Sequence, residues 1–253
     1  MKVPQVQLSA VAGMPLIEPG DDLGEQLLGA LDANQIALQS GDVLVIAQKI
    51  VSKAEGRYRN LDDVTPGKAA LEWASRCDKD PRLVQLILDE STEVMRYRPG
   101  VLIVRHRLGY VHANAGIDRS NIEDNGQVLL LPEQPDISAQ KLRQKIHQAR
   151  GVDVSIVIND SAGRPWRNGI CGFAIGTAGF KVVSNEVGSP DLYGKPLEVT
   201  EIAVADEIAA AASLLMGQGD EGLPLVHVRG LQLQSADTGS QALIRSREMD
   251  LFQ

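Results

Sequence analysis

The chain has 253 residues, 43% apolar and 23% charged, which fits a globular protein of one large or two small domains, able to bury a core without disulfides or structural zinc. Lys and Arg total 25 against 33 Asp and Glu, a net charge of −8, and this excludes a general nucleic-acid binder because phosphate neutralisation needs a basic surface. No apolar run is long enough to cross a membrane, the N-terminus lacks the apolar stretch of a secretory signal, and Cys77 and Cys171 stand far apart, so a cytoplasmic protein without a membrane partner is expected.

The first expected strand covers residues 6–11 and leads into an ordered loop, Gly13-Met14-Pro15-Leu16-Ile17. Asp21 or Asp22 caps a helix that carries Leu23, Leu27, Leu28 and Leu31 at helical spacing. Residues 43–47 form a short apolar run after the Gly41-Asp42 turn and read as a buried strand. Helical stretches follow at 69–74 and 81–88, with Pro81 suited to a first helical position. Residues 101–106 and 110–114 flank Arg107-Leu108-Gly109 as a hairpin.

In the second half, residues 138–150 read as an amphipathic helix with His147 on its solvated face. Residues 152–158 read as a buried strand ending in Asn159-Asp160-Ser161. A glycine-rich stretch follows, then a buried helix at 200–216 capped by Thr200, a glycine turn at 217–222, a strand at 223–228 and a polar tail. Strands and helices mix without strict βαβ alternation, so the expected class is α+β, with mixed sheets and packed helices. Breaks near 60–68 and 132–138 mark an inserted subdomain at about 60–135 within one unit spanning 1–253.

The phosphate-binding signatures are mostly negative. No GxxxxGK(S/T) sequence exists, and Gly217-Gln218-Gly219-Asp220-Glu221-Gly222 matches GxGxxG but follows a helix and precedes a strand, the reverse of a dinucleotide-binding site. Those glycines serve either as a helix C-cap or as a close backbone approach to a ligand. The histidines (His106, His112, His147, His227) show no metal-ligand spacing, and no GxSxG supports a serine triad. Cys171 reads as a small buried thiol rather than a nucleophile.

Two aspartate-bearing segments carry more chemistry. Asn114-Ala115-Gly116-Ile117-Asp118-Arg119-Ser120-Asn121 and Asn159-Asp160-Ser161-Ala162-Gly163-Arg164 each follow a strand and set an Asp beside amides, hydroxyls and a glycine. Such hard oxygen donors suit Mg²⁺ or Mn²⁺ better than zinc, although an Asp in a turn also bonds its own backbone. Arg164 and Arg167 flank Pro165-Trp166 and would hold an anionic group if they face Asp160, or lie solvated if they do not. Lys53, in Val51-Ser52-Lys53-Ala54-Glu55-Gly56, is either a phosphate contact or an ordinary exposed lysine.

Taken in order with Asp191-Leu192-Tyr193-Gly194, Ala205-Asp206-Glu207-Ile208-Ala209-Ala210 and Leu215-Met216-Gly217-Gln218-Gly219, these segments resemble the coenzyme F420-0:L-glutamate ligase family over about residues 5–232. The resemblance implies that family's ligase fold and a homodimer that couples GTP cleavage to amide formation on a deazaflavin acceptor, without the nitroreductase-like C-terminal domain fused to some relatives. It implies a GTP site of Met14, Pro15, Leu16, Ile17, Gln48 and Lys49, with Lys53 on phosphate and Asn121 on the nucleotide. The loop Met216, Gly217, Gln218, Gly219, Asp220, Glu221, Gly222 and Leu223 would wrap the nucleotide. Two Mn²⁺ or Mg²⁺ sites would draw on Asp118, Asp160, Ser161 and Gln218, and a monovalent cation is a further option.

Lys53, Arg164 and Arg167 are the expected catalytic cations. Four positions depart from the family pattern: Ser161 stands for Thr, Gln218 for Glu, and Gln48-Lys49 for a Ser-Thr pair. The GTP preference comes from the resemblance alone, since no NKxD guanine signature is present. A GTP-binding regulator without catalysis, or a ligase acting on another acid, are the alternatives.

Overall fold

The computed structural model describes residues 3–122 and 126–251. The central sheet is built from β1 (Gln7–Ala10), which precedes helix α1 (Leu23–Ala33), and β2 (Val43–Ala47), which runs directly into α2 (Gln48–Ala54). The Asp22 carboxylate accepts the Glu25 amide and starts α1 as expected. The chain then makes an excursion through β3 (Tyr58–Asn60), α3 (Lys68–Cys77), α4 (Pro81–Asp89), β4 (Ser91–Arg98), β5 (Val101–His106), β6 (Val111–Ala113) and β7 (Gln127–Leu129). Helix α5 (Pro135–Arg150) brings it back to the long hairpin β8 (Ser155–Arg164) and β9 (Arg167–Ala178). The remaining elements are the short pair β10 (Ser184–Asn185) and β11 (Glu201–Ile202), helix α6 (Val204–Met216) and β12 (Leu225–Arg229).

The five-stranded sheet has the order β1-β12-β2-β8-β9. Only β2 and β8 run parallel, from Val43 beside Ser155 to Ala47 beside Asn159; the other neighbours are antiparallel. Alternation along β2 sends Leu44 and Ile46 into a core shared with α1 and α5, and Val43 and Val45 into a second core under α6. A third apolar cluster, from Leu61 to Val128, joins α3 and α4 to β4 and β5. The mixture is α+β, as the sequence pattern predicts.

Four local expectations are corrected. Thr200 does not cap α6: residues 201–202 instead pair with β10, and the helix starts at Val204 with Ala203 as a cap that offers no side-chain bond. The glycine-rich stretch after Ser161 is strand, because β8 and β9 continue as a ladder to Arg164 and Arg167. Asp160 therefore sits in a strand rather than a turn. Cys171 is half-buried, with its sulfur accepting from Arg164 Nη1 at 3.0 Å.

Gly172 explains why a glycine belongs in that ladder. A Cβ there would lie 2.5 Å from the Ala209 carbonyl oxygen and 2.6 Å from Asn159 Oδ1, with Ser213 Oγ also in the way. The absent side chain lets α6 press onto β9. Gly172→Ala is expected to lower stability by about 2 kcal/mol through overpacking against helix backbone, read as a reduced urea midpoint; an unchanged midpoint refutes that packing role.

Candidate active site at the carboxyl ends of the parallel strands

The parallel pair delivers its carboxyl ends to one place, the usual ligand position in open sheets containing parallel strands. Gln48 and Lys49 follow Ala47 at the end of β2, and Asp160 follows Asn159 in β8. A cavity of about 470 Å³ opens there. The structure gathers Met14, Pro15, Leu16 and Ile17 on one wall, Gln48, Lys49 and Lys53 of α2 on another, and Asn121, Asp160 and Ser161 beside them. The loop Met216, Gly217, Gln218, Gly219, Asp220, Glu221, Gly222 and Leu223 closes the remaining side.

Asp118 reaches this cavity through its partners. Its Oδ2 accepts from Gln48 Nε2 at 2.6 Å, and its Oδ1 lies 3.1 Å from Lys49 Nζ. Burial and then the Asp118 charge push the Asp160 carboxyl up to about 7, with the Ser161 amide and Lys49 opposing them. The Asp118 charge thus reaches Asp160, and Lys49 is the cation that opposes it there. The Ser161 hydroxyl donates to Gln218 Oε1 at 3.1 Å, so the remaining oxygens belong to neutral groups. Among the described residues no three His, Cys, Asp or Glu side chains are grouped to hold a metal unaided. The donor set is two carboxylates, a hydroxyl and an amide oxygen, which fits a hard divalent cation whose other ligands come from substrate and water.

Lys53, Asn121 and the glycine loop are tied together. Lys53 Nζ donates to the Asn121 carbonyl oxygen at 2.8 Å, and Asn121 Nδ2 donates to the Gly219 carbonyl oxygen at 3.0 Å. Burial first, and then the Lys49 charge, lower the Lys53 pKa. Gly217 ends α6 at φ 70°, and a side chain there would strike the Glu221 carboxylate. The GxGxxG run is thus both a helix C-cap and one wall of the cavity.

Arg164 and Arg167 are not brought to this cavity. They pair across the tip of the β8–β9 hairpin, and four strand residues beyond Asp160 amount to about 13 Å at ~3.3 Å per residue. Closeness in sequence misled because the segment is extended. Arg164 instead lines a second cavity of about 730 Å³, walled by β6, β8, β9, the start of α6 and the C-terminal segment.

Two site residues escape sequence reasoning. Asn159 is buried, with Nδ2 donating to Ser213 Oγ at 3.0 Å, while its Oδ1 has no hydrogen-bond partner among the described residues. Its place just before Asp160 at the end of an apolar run was the available signal. His112 lies with Nδ1 3.9 Å from Asp160 Oδ2; burial and then the His106 charge push it down to about 4, so this neutral imidazole does not form an ion pair with Asp160. Nothing in its spacing marks it.

The F420-0:gamma-glutamyl ligase family model matches residues 13–230. The chain belongs to that family. Among its relatives is the coenzyme F420:L-glutamate ligase of Methanothermobacter thermautotrophicus, 46% identical over 98% of each chain. The protein of that name from Archaeoglobus fulgidus is 45% identical over 98% of this chain and 96% of its own. The one from Methanocaldococcus jannaschii is 38% identical over 94% of each. No helix among the described residues is long and apolar enough to cross a membrane.

Proposed function

We propose that the chain joins L-glutamate to coenzyme F420-0 with GTP as the energy source, through an acyl phosphate, as a cytoplasmic homodimer. The observation that carries this reading is the gathering of Asp118, Asp160, Lys49, Lys53 and the glycine loop at one cavity. Relatives named coenzyme F420:L-glutamate ligase, matched over nearly their whole length, support the acceptor and the amino acid. Leu192, Tyr193 and Val199, all more than four-fifths exposed near one another in sequence, give a second copy apolar surface to cover.

In the proposed sequence a carboxylate oxygen of F420-0 attacks the γ-phosphorus of GTP, the bond to the β-phosphate oxygen breaks, and GDP leaves. The amine of glutamate then attacks the acyl carbon, gives up its proton, and expels inorganic phosphate to leave an amide. Crowded negative charge is the obstacle in both steps. Asp118, Asp160, Ser161 and Gln218 would hold Mn²⁺ or Mg²⁺, and a divalent cation there supplies neutralisation of the triphosphate and of charge on the transferred group. Lys53 contributes a fixed cation, tied down by Asn121, and Lys49 a second one. The loop from Gly217 to Gly222 brings backbone close to the nucleotide where side chains would collide.

Incubation with GTP, Mn²⁺ and glutamate is expected to release phosphate only when F420-0 is added, and mass spectrometry of the acceptor is expected to show glutamyl increments. GTP bound without turnover in the complete mixture would favour a regulator and refute the ligase.

A further inference from the structure

We infer that the second cavity, between the β8–β9 hairpin, β6, α6 and the C-terminal segment, holds the acceptor acid, a flat aromatic molecule bearing a phosphodiester, with its reacting carboxylate turned toward His112 and Asp160. The inference rests on the ligase reading above and assigns that reading's second substrate a place. The two cavities are lined by successive residues of β8, Asp160 and Ser161 on the smaller one and Ala162 and Gly163 on the larger, and His112 of the larger lies 3.9 Å from Asp160. Phosphoryl transfer to a carboxylate requires the acid to enter from outside the nucleotide site yet reach the same carboxylate pair, and this shared strand offers that route.

The size and walls fit such a ligand. About 730 Å³ is ample for a cofactor-sized molecule, whereas L-glutamate, with ten non-hydrogen atoms, would leave most of it unfilled. Tyr110, Phe173, Ile202, Leu243 and Ile244 supply apolar wall for an aromatic system. His112 is only 5% exposed, lines the cavity, and its Nε2 has no hydrogen-bond partner among the described residues. A buried polar atom left in that state is destabilising unless a ligand or water meets it.

The charges are arranged to choose an orientation. Arg164 and Arg245 are exposed on the hairpin and C-terminal sides of the cavity. Glu201 and Glu207 are exposed on the α6 side and would repel an anion there. Asp206 is occupied by the Ala174 amide at 2.9 Å, and Asp250 lies 3.5 Å from Arg105. The phosphodiester is therefore assigned to the side of Arg164 and Arg245.

Equilibrium dialysis of F420-0 against the full chain tests the placement without requiring turnover. Ala203→Trp fills the cavity from the start of α6, at a cap position that makes no side-chain bond, and is expected to weaken F420-0 binding at least tenfold. Arg245→Ala, at an exposed site, is expected to weaken it by about tenfold, an ordinary loss for one charge-assisted contact. GTP binding should stay within twofold in both, which also reports folding.

Unchanged F420-0 binding in both variants, absence of F420-0 binding by the wild type, or a rise confined to the KM for glutamate overturns the inference. Glutamyl increments from a wild type whose variants bind F420-0 normally would remove this placement and leave the ligase reading intact. Variant-sensitive F420-0 binding without any increments would do the reverse.

Discussion

Asp118→Ala is expected to cut GTP-dependent glutamyl transfer by about 10³-fold, the several kcal/mol that a bound metal supplies to phosphoryl-transfer chemistry. The fold should survive. Asp118 sits in an isolated bridge to Leu129 made by backbone atoms, and its loss leaves Lys49 half-exposed to solvent rather than buried alone. Removal of the Asp118 charge also takes away one of the two causes that raise the Asp160 pKa. Calorimetric titration of Mn²⁺ should show weaker binding in Asp118→Ala, and Asp118→Asn should behave alike, because an amide keeps the shape but not the charge. Near-normal ligation by either variant would end the metal assignment.

Glu90→Gln is expected to destabilise the fold by about 3 kcal/mol at neutral pH, the equivalent of its depressed pKa at ~1.4 kcal/mol per unit. Glu90 ends α4 under the β5–β6 hairpin, with Arg57 Nη2 at 3.1 Å from both carboxylate oxygens, Arg107 Nε at 3.1 Å and His106 Nε2 at 3.4 Å. Burial alone would raise its pKa, but the His106 contact and the two arginine charges outweigh burial and hold it at about 2, against 4.5 for a free glutamate. A carboxylate depressed in the folded state stabilises above its unfolded pKa, and that contribution is lost as pH falls from 4.5 through about 2. The gap between wild type and variant in urea unfolding should therefore narrow to roughly 1 kcal/mol at pH 3. A gap of the same size at both pH values would show that Glu90 acts by packing instead.

The parts legible in the sequence were those whose signal is local and periodic. The Asp22-capped helix, the apolar run of β2, the hairpin around Arg107-Leu108-Gly109 and the helix before β8 all declare themselves by spacing or by a capping residue. Helix α2 did not, because it starts with no capping side chain directly from a strand and lasts only from Gln48 to Ala54. The extension of β8 and β9 through a glycine-rich run was hidden for a related cause: glycine weakens a strand signal, and here it is retained to admit α6. The residues that the resemblance assigns to a nucleotide lie around one cavity. The arginine pair was assigned by proximity in sequence, and an extended strand carries it elsewhere.

The parallel pairing of β2 with β8 has a consequence for how the molecule comes into being. Ala47 and Asn159 are neighbours across the sheet, so everything between them must be looped out before that pair can close, at an entropic cost of about 4 kcal/mol for a flexible loop of this length. During synthesis the ribosome releases the lysines of α2 long before Asp160, and the glycine loop last of all. A fragment that stops before Gly217 lacks one wall of this cavity, so the growing polypeptide cannot complete the pocket until the glycine loop has emerged.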